Sequence, residues 1–302
     1  MTLFGFVYKK MTLSEILIAS ARVVIARGLK IAPKAMDNLY YQIRCRTIKK
    51  RYLVNNGNTS CFDIMGAKLP DISNSKEKMK TLALVFEDSF LIPVFYNDNY
   101  DKTLVNKLDR CTAEGPYGYT DCNFDVTVKS GDIVIDAGAW IGDFSAYATT
   151  KNAIVYAFEP SKESFALLCE TAKLNGDSMI PIQKGLSNME GEVSMSIDSW
   201  SGGSSIVMER STEKEIIHLT TIDQFVEDHK LEKVDFIKAD IEGAERDMLR
   251  GATNVLKTFA PKLAICTYHF PDDPQILEQI IKEANPNYTV VHLRHKLFAA
   301  VV

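Results

Sequence analysis

The chain has 302 residues, of which 46% are hydrophobic and 25% charged, and its net charge is −4. These proportions predict a globular protein with one large core or two smaller ones, and they exclude a collagen-like, repetitive or disordered chain. The six cysteines form no C-x-x-C pair, which predicts reduced cysteines and a cytoplasmic location.

The charge is unevenly distributed along the chain. Residues 1–51 carry 11 Lys and Arg against two acidic residues, a net charge of +9, and the remainder carries −13. Apolar residues recur at helical spacing from Leu13 to Ile25, with Arg22 and Arg27 off that stripe. Such a helix either lies on anionic lipid, which would make the protein membrane-associated, or packs on the core as a cap, the interpretation we favour. We expect neither a signal peptide nor a membrane span.

Residues 1–125 are predicted to form an N-terminal accessory region, mainly helical, that caps the rest of the chain. They lack a regular alternation of strands and helices, although 82–86 and 91–95 are apolar segments that should be buried. The segment 114–119, Glu-Gly-Pro-Tyr-Gly-Tyr, predicts a turn that folds over a ligand bound by the next strand.

Residues 126–302 alternate strands and helices, and the first strand carries the most informative motif. The stretch Asp132–Ser145 runs from a buried strand into a turn with Gly138 and Gly142, followed by a helix. A dinucleotide site has G-x-G-x-x-G, whereas this pattern is D-x-G-x-x-x-G. The acid, Asp136, would repel a diphosphate and suit a ligand with an ammonium and a sulfonium group.

The second strand, 153–158, ends in an acidic residue. Glu159 lies 23 positions after Asp136, the interval at which an acid accepts both hydroxyls of a ribose. Strand, turn, helix, strand and acid in this order predict a nucleoside-type cofactor site. Trp140, inside the turn, packs either over the cofactor or in the core.

The following segments continue the alternation. Two strands around a flexible loop, 201–205, are expected to extend the main sheet, and the loop should shape an acceptor pocket. The predicted elements are a helix at 161–175, strands at 179–183, 192–197 and 215–220, a helix at 221–228, a strand at 234–240, a helix at 244–258, a strand at 262–268 and a helix from Asp273.

The last two strands, 288–294 and 297–302, are separated by two residues. So short a link permits only a hairpin, which makes the final strand antiparallel in an otherwise parallel sheet. A terminal antiparallel strand is typical of the Rossmann-like class I methyltransferases that use S-adenosylmethionine.

Three motifs together resemble the FkbM-type family of methyltransferases. They are V-I-D-A-G-A-x-I-G at 134–142, Y-A-F-E-P at 156–160 and K-x-D-x-E-G-x-E at 238–245, and the resemblance runs from about Glu114 to the C-terminus. It implies an α/β, Rossmann-like fold and methyl transfer from S-adenosylmethionine to a hydroxyl of a sugar, glycan or secondary metabolite.

The resemblance also implies site residues. Asp136, Gly138 and Gly142 are assigned to the methionine end of the cofactor, Glu159 to its ribose, and Asp240 to the place where the methyl group leaves. Where many relatives carry an acidic residue after the fifth strand, this chain has Thr-Tyr-His at 267–269. The resemblance therefore assigns no general base.

Asp240, His269 and Lys238 are the candidate catalytic residues. Asp240 either orients the acceptor hydroxyl, accepts its proton or holds a divalent cation together with Glu242 and a third oxygen ligand. Its structural alternative is to cap the next helix. His269 is a candidate general base or a strand-end histidine bonded to backbone. Lys238, on the same strand face as Asp240, either neutralises that acid or binds substrate.

Glu242 and Glu245 have equally balanced functional and structural interpretations. Glu242 and Arg246 have the i,i+4 spacing of an ion pair, and acidic residues stabilise a first helical turn. For the whole protein, the alternative function is a non-catalytic module that binds S-adenosylmethionine or another nucleoside. We expect a small-molecule or glycan acceptor and no nucleic acid, and a homodimer is compatible with the sequence.

Overall fold

A computed structural model describes residues 45–72 and 117–302, except for 47, 51, 58, 65, 122, 198–203, 210 and 294. The predicted basic N-terminal helix and the apolar segments between 82 and 95 lie outside the described residues. None of the helices in the described part of the chain has the length and apolarity that a bilayer crossing requires.

Two small antiparallel units precede the main sheet. The first is a three-stranded sheet, and the second is a hairpin that leads into the central sheet. The strands are β1 (Leu53–Asn56), β2 (Thr59–Ile64), β3 (Ala67–Pro70), β4 (Tyr119–Asp121) and β5 (Phe124–Val126). The prediction of a mainly helical accessory region therefore does not describe 53–70, where β-strands form.

The central sheet has seven strands. Its members are β6 (Ile133–Ala137), β7 (Ile154–Phe158), β8 (Met179–Ile182), β12 (Phe236–Ala239), β13 (Lys262–Cys266), β14 (Tyr288–Leu293) and β15 (Lys296–Val301), in the order β14-β15-β13-β12-β6-β7-β8. Within this sheet β15 alone runs opposite to the other six strands, as predicted from the two-residue link. The middle strands are covered on both faces and are mostly apolar, with Asp136 in β6 and Lys238 in β12 as buried charged residues.

Helices cover both faces of the sheet. They are α1 (Asp143–Thr150), α2 (Lys162–Asn175), α3 (Ile222–Asp228), α4 (Glu245–Arg250), α5 (Thr253–Thr258) and α6 (Asp273–Ala284). One core layer holds Phe144 of α1 and Leu168 of α2, and the small β1–β3 sheet joins it through Phe62 and Leu69. The opposite layer contains the apolar faces of α3, α4, α5 and α6.

The insert after β8 differs from its prediction. Its strands β9 (Gly185–Leu186), β10 (Gly191–Ser196) and β11 (Lys214–Thr220) form a separate sheet, so the expectation that they extend the central sheet is wrong. Gly185 and Leu186 pair with the end of β11, and Met195, Ile217 and Leu219 bury one another in a core of their own.

The predicted helix over 244–258 is two helices, α4 and α5, with a break at Gly251 and Ala252. Asp223 of α3 explains the break. Its backbone N–H donates to the Gly251 carbonyl, and its carboxylate accepts from the N–H groups of Asn254 and Val255 at 2.9 Å each. The side chain of Asp223 thus caps a new helix N-terminus.

Candidate active site

A cleft opens at the carboxyl ends of the central strands. Gly138 after β6, Glu159 after β7 and Asp240 after β12 line it together with Glu242. In a parallel sheet this edge is where ligands bind, because the strand ends and following turns present polar groups there. The insert completes the wall with Met195, Ser204, Ile206 and Ile217.

The turn after β6 depends on its two glycines for different reasons. Gly138 has φ +73°, and a Cβ there would lie 2.0 Å from the backbone oxygen of Asp240. Only glycine lets β6 and β12 end side by side at this point. Gly142 has φ +87°, and a Cβ there would lie 2.5 Å from Met179 Cε and 2.7 Å from Leu168 Cδ1. Gly142 therefore allows α1 to pack closely and, unlike Gly138, does not line the cleft.

Asp136 and Lys238 form a buried ion pair behind this turn. The Lys238 Nζ lies 3.0 Å from Asp136 Oδ1 and donates to the Gly138 carbonyl at 2.6 Å, and Ser145 Oγ donates to Asp136 Oδ2 at 2.6 Å. Burial lowers the pKa of Lys238, but Asp136, Asp240 and Asp143 outweigh it and hold that pKa above its usual range.

Asp136 and Lys238 are each less than 5% exposed and are not among the residues that line the cleft. The structure therefore places them as positioning residues that stabilise the glycine turn. Lys238 lies behind the glycine turn, its ion-pair partner is Asp136 on the neighbouring strand, and its candidate catalytic role stays a prediction.

Glu159 connects the turns that follow β6 and β7 through hydrogen bonds. Its Oε2 accepts from the backbone N–H of Trp140 at 3.0 Å, and its Oε1 accepts from that of Ser161 at 2.9 Å. Burial raises the pKa of Glu159 to about 7, an effect that these two N–H donors only partly offset. Trp140 has φ +49° and packs against the core, consistent with ordinary burial.

Asp240 accepts hydrogen bonds from two tyrosines. Tyr117 Oη donates to Oδ2 at 2.7 Å, and Tyr268 Oη donates to Oδ1 at 3.0 Å. Burial raises the pKa of Asp240, but Lys238, His269 and the Tyr117 hydroxyl outweigh it and hold that pKa below its usual range. Asp240 is thus an ionised acceptor at neutral pH.

His269 is surrounded by carboxylates. Its side chain is 1% exposed, and Nδ1 lies 3.2 Å from Glu245 Oε1 while Nε2 lies 3.4 Å from Glu242 Oε2 and 3.7 Å from Asp240 Oδ1. Burial lowers the pKa of His269, but Glu242 and Glu245 outweigh it and raise the pKa to about 10. The protonated imidazole cannot accept a proton at neutral pH, so the structure does not support His269 as the general base.

The two glutamates after β12 have different positions. Glu245 accepts from the backbone N–H groups of Ile241 at 2.8 Å and Gly243 at 3.0 Å, so it shapes the loop before α4. Glu242 has φ +56° and lines the cleft.

The predicted pair of Glu242 with Arg246 is wrong, because Glu242 precedes the helix and i,i+4 geometry needs both residues inside it. Arg246 instead contacts Asp272 at 2.5 Å and Asp273 at 2.7 Å.

Tyr117 and Tyr268 are site residues that the sequence interpretation did not assign to Asp240. Tyr117 belongs to the turn predicted to fold over the ligand, but nothing in its motif identifies a carboxylate 123 positions away as its partner. Tyr268 directly precedes His269 at the end of β13. Its position next to a candidate site residue is the sequence feature that could have identified it.

Comparison with known proteins identifies related sequences. A family profile described as the methyltransferase FkbM domain matches residues 136–288. Hexuronic acid methyltransferase AglP of Haloferax volcanii is 29% identical over 166 residues, which are 55% of this chain and 67% of that protein. Methyltransferase sdnD of Sordaria araneosa is 27% identical over 169 residues, which are 44% of this chain and 65% of that protein.

A solved structure also aligns with the chain. The crystal structure of methyltransferase FkbM from Methylobacillus flagellatus KT has a TM-score of 0.46 and 19% identity to it, covering 87% of this chain and 60% of that one. The chain thus matches about two thirds of the length of the curated relatives, and less of the solved structure.

Proposed function

Since the chain belongs to the FkbM methyltransferase domain family, we propose that it transfers the methyl group of S-adenosylmethionine to a hydroxyl of a sugar, glycan or secondary metabolite. The observation that carries the proposal is the cleft that brings Glu159, Gly138 and Asp240 together at three strand ends. Glu159 suits a ribose, Gly138 suits a closely packed amino acid group, and Asp240 suits a reacting hydroxyl.

The charge of the cleft supports a sulfonium cofactor. Glu159, Asp240 and Glu242 line it, so a cationic ligand is attracted and a diphosphate is repelled. In this proposal Glu159 accepts the ribose hydroxyls and the Gly138 turn holds the methionine end. Asp136 acts indirectly, through the Lys238 ammonium that donates to the Gly138 carbonyl.

Methyl transfer is an in-line displacement in which the C–O bond forms, the C–S bond breaks and S-adenosylhomocysteine leaves. Positioning of the hydroxyl supplies much of the rate. Asp240 orients that hydroxyl and accepts its proton. Although its low pKa makes Asp240 a weak base, a protonated ether is a much stronger acid, so a carboxylate suffices when the proton leaves late.

The acceptor end of the cleft favours an uncharged hydroxyl. Asp240 and Glu242 would repel a carboxylate placed beside them, whereas a hydroxyl donates to either. The curated relative from Haloferax is named for a hexuronic acid, so acidic sugars belong in an acceptor screen beside neutral ones.

The first experiment is calorimetric titration with S-adenosylmethionine, using NAD as a control ligand. We expect saturable binding to the wild type, none with NAD, and an affinity reduced at least about tenfold in Glu159→Ala. The matched control is Glu170→Ala, since Glu170 is exposed on α2 and away from the cleft. An intact protein that does not bind S-adenosylmethionine would overturn the proposal.

A second assay separates an enzyme from a binding module. Methyl-labelled cofactor is incubated with neutral and acidic sugars, and the product is mapped by NMR. Transfer to an oxygen supports the proposal. Cofactor binding without transfer to any hydroxyl acceptor, together with identical behaviour of Asp240→Asn and wild type, would favour the non-catalytic alternative.

A further inference from the structure

Three side chains of different chemistry converge at the acceptor end of the cleft. Asp240, Glu242 and His269 each offer one ligand atom, and these atoms all lie within 4.8 Å of one another. Asp240 and Glu242 follow β12, and His269 follows the neighbouring β13. The group is thus built by two adjacent strand ends and is not a run of surface acids.

The buried imidazole of His269 is evidence that a ligand binds at this place. Its side chain is 1% exposed, and neither ring nitrogen has a hydrogen bond of good geometry, although carboxylate oxygens lie 3.2 to 3.7 Å from them. Buried polar atoms are almost always hydrogen-bonded, so two such nitrogens on one ring require an explanation. Nε2 is directed at the carboxylates of Glu242 and Asp240, at 3.4 and 3.7 Å.

We propose that Asp240, Glu242 and His269 bind one divalent transition-metal cation of the Mn²⁺ class. Neighbouring ligands of an ion bound at roughly 2.1 Å lie about 3 to 3.4 Å apart. The separations of 3.4 and 3.7 Å from Nε2 need only a small side-chain adjustment to reach that geometry. One imidazole and two carboxylates suit Mn²⁺ and similar ions, whereas Ca²⁺ and Mg²⁺ prefer oxygen ligands alone.

The surroundings of the ring match those of a metal-binding histidine. When Nε2 binds a metal, the other nitrogen usually donates its proton to a carboxylate, which orients the ring. His269 Nδ1 lies 3.2 Å from Glu245 Oε1, and Glu245 is itself held by the backbone N–H groups of Ile241 and Gly243. Glu245 is therefore the positioning residue of this site.

The charge balance also favours a cation. Asp240, Glu242 and Glu245 bring three carboxylates to a place where His269 is the nearest basic group. The Lys238 ammonium pairs with Asp136 instead. These three carboxylates attract a divalent cation to this place.

The use of the metal rests on the proposed function. An ion bound by Asp240 and Glu242, which line the cleft, would bind the acceptor hydroxyl, lower its pKa and orient its oxygen. It would also offset the repulsion between these acids and a carboxylate-bearing sugar.

Mn²⁺ binding is measured on the full chain by electron paramagnetic resonance, after treatment with a chelator and without cofactor or acceptor. We expect one ion per chain and a Kd raised at least about tenfold in Glu242→Gln and in His269→Gln. The control is Glu278→Gln, whose exposed carboxylate lies 2.6 Å from His292 and forms a two-residue pair without a third ligand. Its Kd should equal that of the wild type.

Circular dichroism of the same samples reports whether the variants are folded, and calorimetric titration of the wild type with S-adenosylmethionine tests the proposed function separately. Wild-type protein that binds the cofactor but no Mn²⁺ would overturn the metal site and leave the proposed function intact. An unchanged Kd for Mn²⁺ in a folded Glu242→Gln variant would overturn it as well. If a variant does not fold, Asp240→Asn provides the same comparison.

Discussion

Asp240 is the residue on which the site converges, because side chains from two distant parts of the chain hold its carboxylate. Tyr117 comes from the segment before β4, and Tyr268 and His269 follow β13. Hydrogen bonds from neutral donors to a carboxylate stabilise its charged form and fix the direction of its oxygens. The tyrosines therefore keep Asp240 ionised and aligned.

Tyr268→Phe removes one of these donors without leaving a cavity. We expect kcat for methyl transfer to fall about tenfold, since a hydrogen bond to a charged group contributes about 1.5 to 3 kcal/mol, and the Kd for S-adenosylmethionine to change less than about twofold. Steady-state kinetics and calorimetry check both values. Tyr288→Phe is the control, because its hydroxyl donates to the Pro261 carbonyl at 2.8 Å and should affect stability alone. Equal kcat in wild type and Tyr268→Phe would contradict the role.

Glu159 should make cofactor binding depend on pH. Burial raises its pKa to about 7, so at pH 6 most of the carboxyl is protonated and accepts the ribose hydroxyls poorly. The affinity for S-adenosylmethionine is therefore expected to fall about tenfold from pH 8 to pH 6, and to rise again with pH. In Glu159→Gln the profile should be flat and the affinity low throughout. A wild-type affinity that is constant across this range would contradict the prediction.

At the scale of elements, the site depends on how closely β6 and β12 end beside each other. Lys238 in β12 pairs with Asp136 in β6 and donates to the Gly138 carbonyl, so the two strand ends are joined by side chain as well as by backbone. The absence of a side chain at Gly138 is what leaves room for the backbone of Asp240.

Gly138→Ala should therefore destabilise the protein more than its φ angle alone requires. The new Cβ would lie 2.0 Å from the Asp240 carbonyl oxygen, and we expect the free energy of unfolding to fall by about 3 kcal/mol or more, with loss of cofactor binding. Gly131→Ala is the matched control, because φ is +83° and nothing lies within 4 Å of its Cβ. Gly131→Ala should lower the free energy of unfolding by only about 1 kcal/mol. Equal losses in urea denaturation would contradict the close approach.

At the scale of the whole molecule, the small β1–β3 sheet belongs to the main core. Phe62 and Leu69 are fully buried in the layer that also contains Phe144 and Leu168. The division at residue 125 stays a prediction for the undescribed part of the accessory region. For 53–70 the shared core predicts folding together with the catalytic region.

Leu69→Ala tests this cooperativity. We expect the free energy of unfolding to fall by about 2 to 4 kcal/mol, in one transition seen equally by circular dichroism and fluorescence, because a cavity opens in the common core. Val301→Ala is the control, since Val301 is 43% exposed at the end of β15. Two separate transitions would show that the small sheet unfolds independently.

Local patterns were sufficient to predict most of the fold and half of the site. The apolar runs, the D-x-G-x-x-x-G turn and the acid after the second strand predict a parallel sheet with polar groups at one edge, and the two-residue link predicts the antiparallel β15. They also identify Glu159, Gly138 and Asp240, which do line one cleft. These features depend on residues close in sequence, where propensity and spacing decide the outcome.

Tertiary packing determined the rest of the structure, because the local spacing of residues does not specify which strands and side chains pair or which groups are buried. The insert strands pair with one another instead of joining the central sheet, and Met195 and Ile217 are buried together in their own small core. Lys238 forms its ion pair with Asp136 on the neighbouring strand. Burial lowers the pKa of His269, but carboxylates from another segment outweigh it and raise that pKa. Charge and hydrogen bonding act through space, so the protonation and the role of each acid and base depend on neighbours that only the folded chain supplies.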